Sequence, residues 1–421
     1  MKIAFISFEY PPDTADGGIA TYVHQAARML AGRGHHVEVF TSSPYRSGSI
    51  SEEGILVHRV KEKEQWRFSG PIGQCFAQRH VKVDFDLLEG PEFCADGRDA
   101  VRLVPDIPLV IKLHTPTVFL LRLNYHEKAI LKNIRHFAKA LCWRMRPSWG
   151  YDPLYEHIRS HALKADKVER QHALEADVIA SPSRALGRLL AKEWGLDQVA
   201  MDHVPYPYIP LKKLLKIPTD TNTGVVTFLG RLEKRKGVLD LARAIPHVLK
   251  KYPGARFSFV GAAEPSPDAG KDMRQYLEHR LRRVANAITF TGPVPFKSIP
   301  DVLSDTDVCV FPSIWENFPC VCLEAMSAGR GIVASNRGGM TDMLDSGRVG
   351  RLVPPGNPKE IAAAVIELLG NPALRSRLGQ AARDRLLSAY NADAVSTLQI
   401  ESYQRAIARR RAKGVRKWRS A

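Results

Sequence analysis

Two stretches in the second half of this 421-residue chain gather residue types suited to an anionic, hydroxyl-rich ligand. The first is Gly230-Arg231-Leu232-Glu233-Lys234-Arg235-Lys236-Gly237, which follows the apolar run Val225 to Leu229 and opens a helical pattern. Arg231 supplies a fork of donors, Lys236 a mobile ammonium, and the helix that follows a positive dipole end, a set that suits a diphosphate. Alone, the same residues would also make an ordinary basic, solvated turn. The second stretch, Trp315-Glu316-Asn317-Phe318-Pro319-Cys320-Val321-Cys322-Leu323-Glu324-Ala325-Met326, follows the strand Val308 to Phe311 and Pro312-Ser313. Pro319 fits the first turn of a helix, which puts Glu316 in the loop before it and Glu324 more than a turn inside. Backbone N–H groups around Phe318 and Cys320 lie at that helix start, where an anion or a hydroxyl can use them. Taken singly, Glu324 reads as a surface carboxylate and Glu316 as a helix cap.

A bound diphosphate needs its charge balanced. Asp305-Thr306-Asp307 has the spacing of a metal-binding pair, but it runs into the strand at Val308 and reads as the turn before it. Arg231 and Lys236 can replace Mg²⁺ as the electrostatic stabiliser, so no metal site and no cofactor is expected.

These loops need a scaffold. Ile3 to Ser7 reads as a strand, followed by a turn with Pro11, Pro12, Gly17 and Gly18, an amphipathic run from Ile19 to Ala31, and a strand at Val37 to Phe40. Leu109 to Leu113 and Val178 to Ala180 continue the series. After Val225 to Leu229 it resumes at Phe257 to Val260, Ile288 to Phe290, Val308 to Phe311 and Gly331 to Ala334. Strand–helix alternation predicts an α/β fold of two Rossmann-like, doubly wound parallel-sheet domains facing a cleft, with ligands beyond the carboxyl ends of the strands. The expected domains are 1–204 and 223–391, joined by the proline- and lysine-rich linker 205–222, with a last helix at about 392–421 returning to the first domain.

Together the two stretches resemble glycosyltransferase family 4, retaining enzymes with the GT-B fold. Pro11 to Val23, with Gly17-Gly18, resembles that family's first glycine loop, and Ile111-Lys112-Leu113-His114-Thr115-Pro116 resembles its strand ending in a histidine. Ser181-Pro182-Ser183, Phe290-Thr291-Gly292, Pro312-Ser313 and Gly338-Gly339 also fall where the family has similar elements. The resemblance covers roughly 1–118 and 170–390. It departs from the family at Asn317 and Cys320, where glycine or, at the latter, an aliphatic residue is common.

The resemblance implies roles at matching positions. Arg231 and Lys236 would hold a donor pyrophosphate, Glu316 the sugar hydroxyls, Glu324 the ribose hydroxyls, and backbone near Val294 the base. His114 would line the sugar pocket from the first domain, and Gly18 would allow close backbone approach. The implied reaction moves a hexosyl group, with retention, from a UDP- or GDP-sugar to a hydroxyl of a glycan or lipid-linked acceptor in polysaccharide or envelope assembly. The course expected is front-face substitution, with Glu316 as a covalent nucleophile the less favoured version.

Lys and Arg number 61 against 44 acidic residues, a formal charge of +17, which favours polyanionic partners. Basic residues crowd 119–147, where Ile130, Ile134, Phe137, Leu141 and Met145 recur at helical spacing, and 406–421, which carries Trp418. Both suit contact with an anionic membrane face or a lipid-linked acceptor, or simply solvent. No stretch is long and apolar enough to span a bilayer, and six scattered cysteines suggest buried thiols in a reducing compartment. A cytoplasmic protein, peripheral at the inner face of the plasma membrane, is expected. Two other readings are a GT-B epimerase or phosphorylase/synthase-like enzyme and a basic surface- or nucleic-acid-binding protein; no nucleic-acid-binding motif accompanies the charge, and no nucleic-acid partner is expected.

Overall fold

A computed structural model describes residues 1–14, 17–123, 153–196, 201–268 and 270–416, with the side chains of 153–157 excepted. By its contacts the chain divides into two units: one holds 1–181, 187–204 and 398–421, the other 182–186 and 205–397.

The first unit is built on an eight-stranded sheet. Its strands are β1 (Lys2–Ile6), β2 (His36–Ser43), β3 (Gly48–Glu52), β4 (Ile55–Lys61), β5 (Leu87–Pro91), β6 (Leu109–Lys112), β7 (Val178–Ser181) and β8 (Met201–His203), in the order β3-β4-β2-β1-β5-β6-β7-β8. All neighbours run parallel except the β3–β4 hairpin. Four of the five residues of β1 and all five of β5 are buried, as befits central strands of a parallel sheet covered on both faces. Winding goes outward from β1 on one side and from β5 on the other, so the direction switches between them. The helix Gly18–Ala31 returns the chain from β1 to β2.

The second unit holds β9 (Val225–Leu229), β10 (Arg256–Val260), β11 (Ile288–Gly292), β12 (Val308–Phe311), β13 (Gly331–Ser335) and β14 (Arg351–Val353), all parallel, in the order β11-β10-β9-β12-β13-β14. The winding direction switches between β9 and β12. Helices Val238–Lys251 and Pro358–Gly370 pack on its apolar face, where Phe228, Phe257, Ile245, Val365 and Leu368 form the core. Two parallel-sheet α/β units are thus present, as the alternation predicted.

Two expectations are refined. The stretch expected as a linker, 205–222, is part of the second unit. Its prolines leave carbonyls without a ladder, and arginines take them: Arg330 donates to Pro218 O and Arg375 to Thr221 O, while Tyr208 N–H donates to Tyr390 O at 3.0 Å. The last helix, Ala392–Lys413, contributes its residues from Leu398 onward to the first unit. There Gln399 and Tyr403 donate to the buried carboxylate of Glu89 at 3.1 and 2.7 Å.

The described part of the basic tail is already partnered. Arg410 and Arg416 both donate to the buried Asp177 at 2.6 Å, and Arg405 pairs with Asp202 at 3.1 Å. Those guanidiniums serve the fold, which weakens the tail as a membrane contact. The basic segment 119–147 lies outside the described residues from 124 onward, as do 417–421. Among the described residues no helix is long and apolar enough to cross a membrane. Cys75, Cys94, Cys309, Cys320 and Cys322 are free thiols.

Candidate active site

At the switch point of the second unit, two adjacent parallel strands send out the two chemistry-bearing loops. β9 ends in 230–237 and β12 in 312–319, so their residues meet beyond the carboxyl ends of the sheet. The backbone stitches them together. Ile314 N–H donates to the Arg235 carbonyl at 2.8 Å. Gly237 has φ +74°, and a Cβ there would stand 2.0 Å from the Pro312 carbonyl oxygen. The loop after β13 closes on the same place: Gly339 N–H donates to the Glu316 carbonyl at 2.8 Å. Gly338, at φ +71°, bridges to Glu316, and a Cβ on it would come within 1.8 Å of that oxygen. These approaches explain why glycines stand there.

Charges alternate across the seam. Lys236 Nζ lies 2.5 Å from Glu316 Oε1, and Arg235 Nη1 donates to the same oxygen at 3.1 Å. Arg235 Nη2 donates to Glu233 at 2.7 Å. Arg231 reaches Glu233 and Glu264 only at 3.6 and 3.7 Å, with its side chain 52% exposed. Burial alone would raise the Glu316 carboxyl, but Lys236 and then Arg235 outweigh it and hold the group below its ordinary value. It is an ionised carboxylate between two cations.

Glu324 behaves differently. It lies in the helix Cys320–Ser327, is buried, and its carboxyl is pushed up to about 7 by burial. At the first position of that helix, burial pushes the Cys320 thiol up to about 12, and the charge of Glu324 adds to it. Pro319 is the residue just before the helix, not part of its first turn, and the helix start has no side-chain cap. Phe318 offers only backbone, because its ring packs edge-on against Tyr206 and Tyr390. Asn317 accepts from Ser183 Oγ at 2.9 Å. Val294 stands in the loop after β11, at the same sheet edge and two strands from β9.

The spacing Asp305-Thr306-Asp307 is absorbed by structure. Asp307 Oδ2 accepts from Gly224 N–H at 2.8 Å and lies 3.6 Å from Arg375.

The remaining expected residues belong to the first unit. His114 follows β6, and its N–H donates to both oxygens of Glu92 at 2.9 and 2.8 Å. Its ring meets Tyr22 edge-on at 5.6 Å, and Tyr22 lies on the helix that Gly17 and Gly18 open. Burial, and then the charge of Lys112, pushes the imidazole down to about 3, so it acts as a neutral ring. A Cβ on Gly18 would meet nothing within 4 Å, whereas one on Gly17 would strike Glu9 Oε2 at 2.5 Å. That carboxylate accepts from Ala20 N–H at 3.4 Å, beneath the first turn.

Lys236 and Glu316 therefore touch, Glu324 lies in the helix into which the Glu316 loop leads, and Arg231 joins only through Glu233. Sequence reasoning gave no role to Arg235, to Ser313, which hydrogen-bonds Glu316, or to Glu9. For Arg235 the available signal was a third cation inside the loop, indistinguishable by type from its solvated neighbours.

Known proteins share this plan. Residues 223–371 match the family described as "Glycosyl transferases group 1", and 17–207 the "Glycosyl transferase 4-like domain". An uncharacterized glycosyltransferase of Methanocaldococcus jannaschii, MJ1607, is 30% identical over 424 residues, covering 96% of this chain and 98% of its own. Sucrose-phosphate synthase from Thermosynechococcus elongatus superposes with a TM-score of 0.70 at 22% identity, over 97% of this chain and 99% of that one. The Anabaena protein HepE, solved with UDP, superposes at 0.66 and 18% identity over 96% and 100%.

Proposed function

Because the chain belongs to the GT4-type glycosyltransferases of GT-B fold, we propose that it moves a hexosyl group, with retention and without a metal, from a nucleoside-diphosphate sugar to a hydroxyl of a glycan or lipid-linked acceptor. The observation that carries this reading is the Lys236–Glu316 contact at the switch point, with Arg231 beside it. Lys236 turns from Glu316 to the diphosphate, and the exposed Arg231, held only by long pairs of little strength, closes on it from the other side. Their charges stabilise the phosphate oxygens as the bond to the sugar breaks. Glu324 accepts from the ribose hydroxyls and Glu316 from the sugar. Backbone near Val294 meets the base of a UDP or GDP donor; UDP bound to HepE supports the former.

The front-face course breaks the bond from sugar C1 to the phosphate oxygen and forms one from C1 to the acceptor oxygen on the same face. The departing diphosphate takes the acceptor's proton. His114, neutral at working pH, is a hydrogen-bonding wall and not a proton carrier. The product enters polysaccharide or envelope glycan. A cytoplasmic site at the inner face of the plasma membrane fits this role, with 119–147 as its anionic-lipid contact.

Incubation with radiolabelled nucleotide sugars, with and without EDTA, tests the reading. Transfer to a glycan acceptor that survives EDTA and keeps the donor's anomeric configuration is expected. Donor consumption without an acceptor indicates an epimerase instead, and chelator-sensitive turnover removes the metal-free mechanism.

A further inference from the structure

Glu316 has to serve two partners in turn, and the structure contains a device for that. Both Lys236 and Arg235 reach the same oxygen, Oε1, yet the two cations are anchored differently. Lys236 has a flexible stem and, among the described residues, no second carboxylate partner. Arg235 is clamped: its side chain is 9% exposed, its other guanidinium nitrogen donates to Glu233 at 2.7 Å, and its carbonyl accepts from Ile314 N–H at 2.8 Å. Ile314 lies two residues before Glu316. One residue therefore registers the second loop twice, through its backbone on the approach to Glu316 and through its side chain on the carboxylate itself. The planar guanidinium can hold both carboxylates at once, which an ammonium on a flexible stem cannot do as precisely.

We propose that Arg235 is a positioning residue that keeps the Glu316 carboxylate charged and in place when Lys236 leaves it for the donor's diphosphate. The proposal rests on the transferase reading for its consequence, but its structural premise can be tested apart from activity. Lys236 is the exchangeable cation and Arg235 the permanent one. Without Arg235, Glu316 would follow the departing ammonium or take up a proton in its buried setting, and the sugar would lose its hydroxyl acceptor while the diphosphate kept its own ligands.

The test compares Arg235→Met and Arg235→Lys with the wild-type chain. Thermal melting checks that each is folded, and the lysine variant stands in if the methionine variant does not fold. In ¹³C-carboxylate NMR, with the Glu316 signal assigned by its loss in Glu316→Gln, the titration midpoint should rise by about one pH unit or more in Arg235→Met and return most of the way in Arg235→Lys. In turnover with the nucleotide sugar, kcat should fall at least about tenfold in Arg235→Met, with the acid limb of the pH profile moving up in step. Affinity for UDP alone should stay within about twofold, because UDP lacks the transferable hexosyl group that Glu316 holds. An unmoved Glu316 titration overturns the proposal even if activity falls, and a tenfold loss of UDP affinity overturns it by making Arg235 a diphosphate ligand. If the wild-type chain turns over no nucleotide sugar, the transferase reading fails while the NMR result still decides what Arg235 does to Glu316.

Discussion

Replacing Glu324 by glutamine should remove a pH dependence that the wild-type chain shows on binding its donor. The carboxyl sits inside the helix Cys320–Ser327, buried, and burial pushes it up to about 7. Ribose hydroxyls donate to a carboxylate, so the ionised form is the binding-competent one. With a midpoint near 7, about nine tenths of the protein is competent at pH 8, about half at pH 7 and about one tenth at pH 6. The apparent dissociation constant rises as the competent fraction falls. Affinity should therefore drop roughly tenfold from pH 8 to pH 6, about 1.4 kcal/mol. The sign follows from the direction of the shift: a raised carboxyl loses its charge as pH falls through about 7, and binding weakens on that side. Titration calorimetry with an intact nucleotide sugar, whose phosphate diester groups do not titrate in this range, measures the effect. In buffers of different ionisation enthalpy the same experiment should detect about half a proton released per binding event at pH 7. Glu324→Gln should bind more weakly at pH 8 and show no slope between pH 6 and 8. A wild-type affinity flat across that range, or a slope that persists in Glu324→Gln, refutes the reasoning.

Other outcomes follow from the same geometry. Lys236→Ala and Arg231→Ala should each lower kcat/KM by roughly 10²–10³, the usual cost of removing one donor to transition-state charge, with melting temperature nearly unchanged for the exposed Arg231. Gly338→Ala places a Cβ against the Glu316 carbonyl at a φ of +71°, so it should destabilise the second unit by about 1–3 kcal/mol in denaturant melts and reduce turnover by displacing the Glu316 loop. Asp177→Ala leaves Arg410 and Arg416 without their buried carboxylate and should cost about 3–5 kcal/mol of stability while leaving nucleotide affinity intact.

What could be read from residue order was the part that depends on local pattern. Strands at Val225–Leu229 and Val308–Phe311 stand where the apolar runs predicted, and the two loops that follow them meet. What escaped depends on distant partners. β5 was missed because Leu87-Leu88 is a short apolar pair followed by Glu89, and that glutamate is admissible in a central strand only because Tyr22, Gln399 and Tyr403 supply its hydrogen bonds. The same holds for Arg235. In Glu-Lys-Arg-Lys all the charges look solvated, and only the approach of Glu316 from 81 residues away, together with Glu233, marks Arg235 as the buried one among half-buried neighbours. The tail at 406–416 read as charge for an anionic surface because Asp177, more than 200 residues earlier, gave no local sign of drawing its arginines inward.

The most direct test of the account is a crystal structure of the protein soaked with a nucleoside-diphosphate sugar. The account predicts the diphosphate between Arg231 and the Nζ of Lys236, ribose hydroxyls on the Glu324 carboxylate, and the sugar against Glu316 with Arg235 still bound to it. A nucleotide seated elsewhere, or its diphosphate out of reach of Lys236, would contradict it.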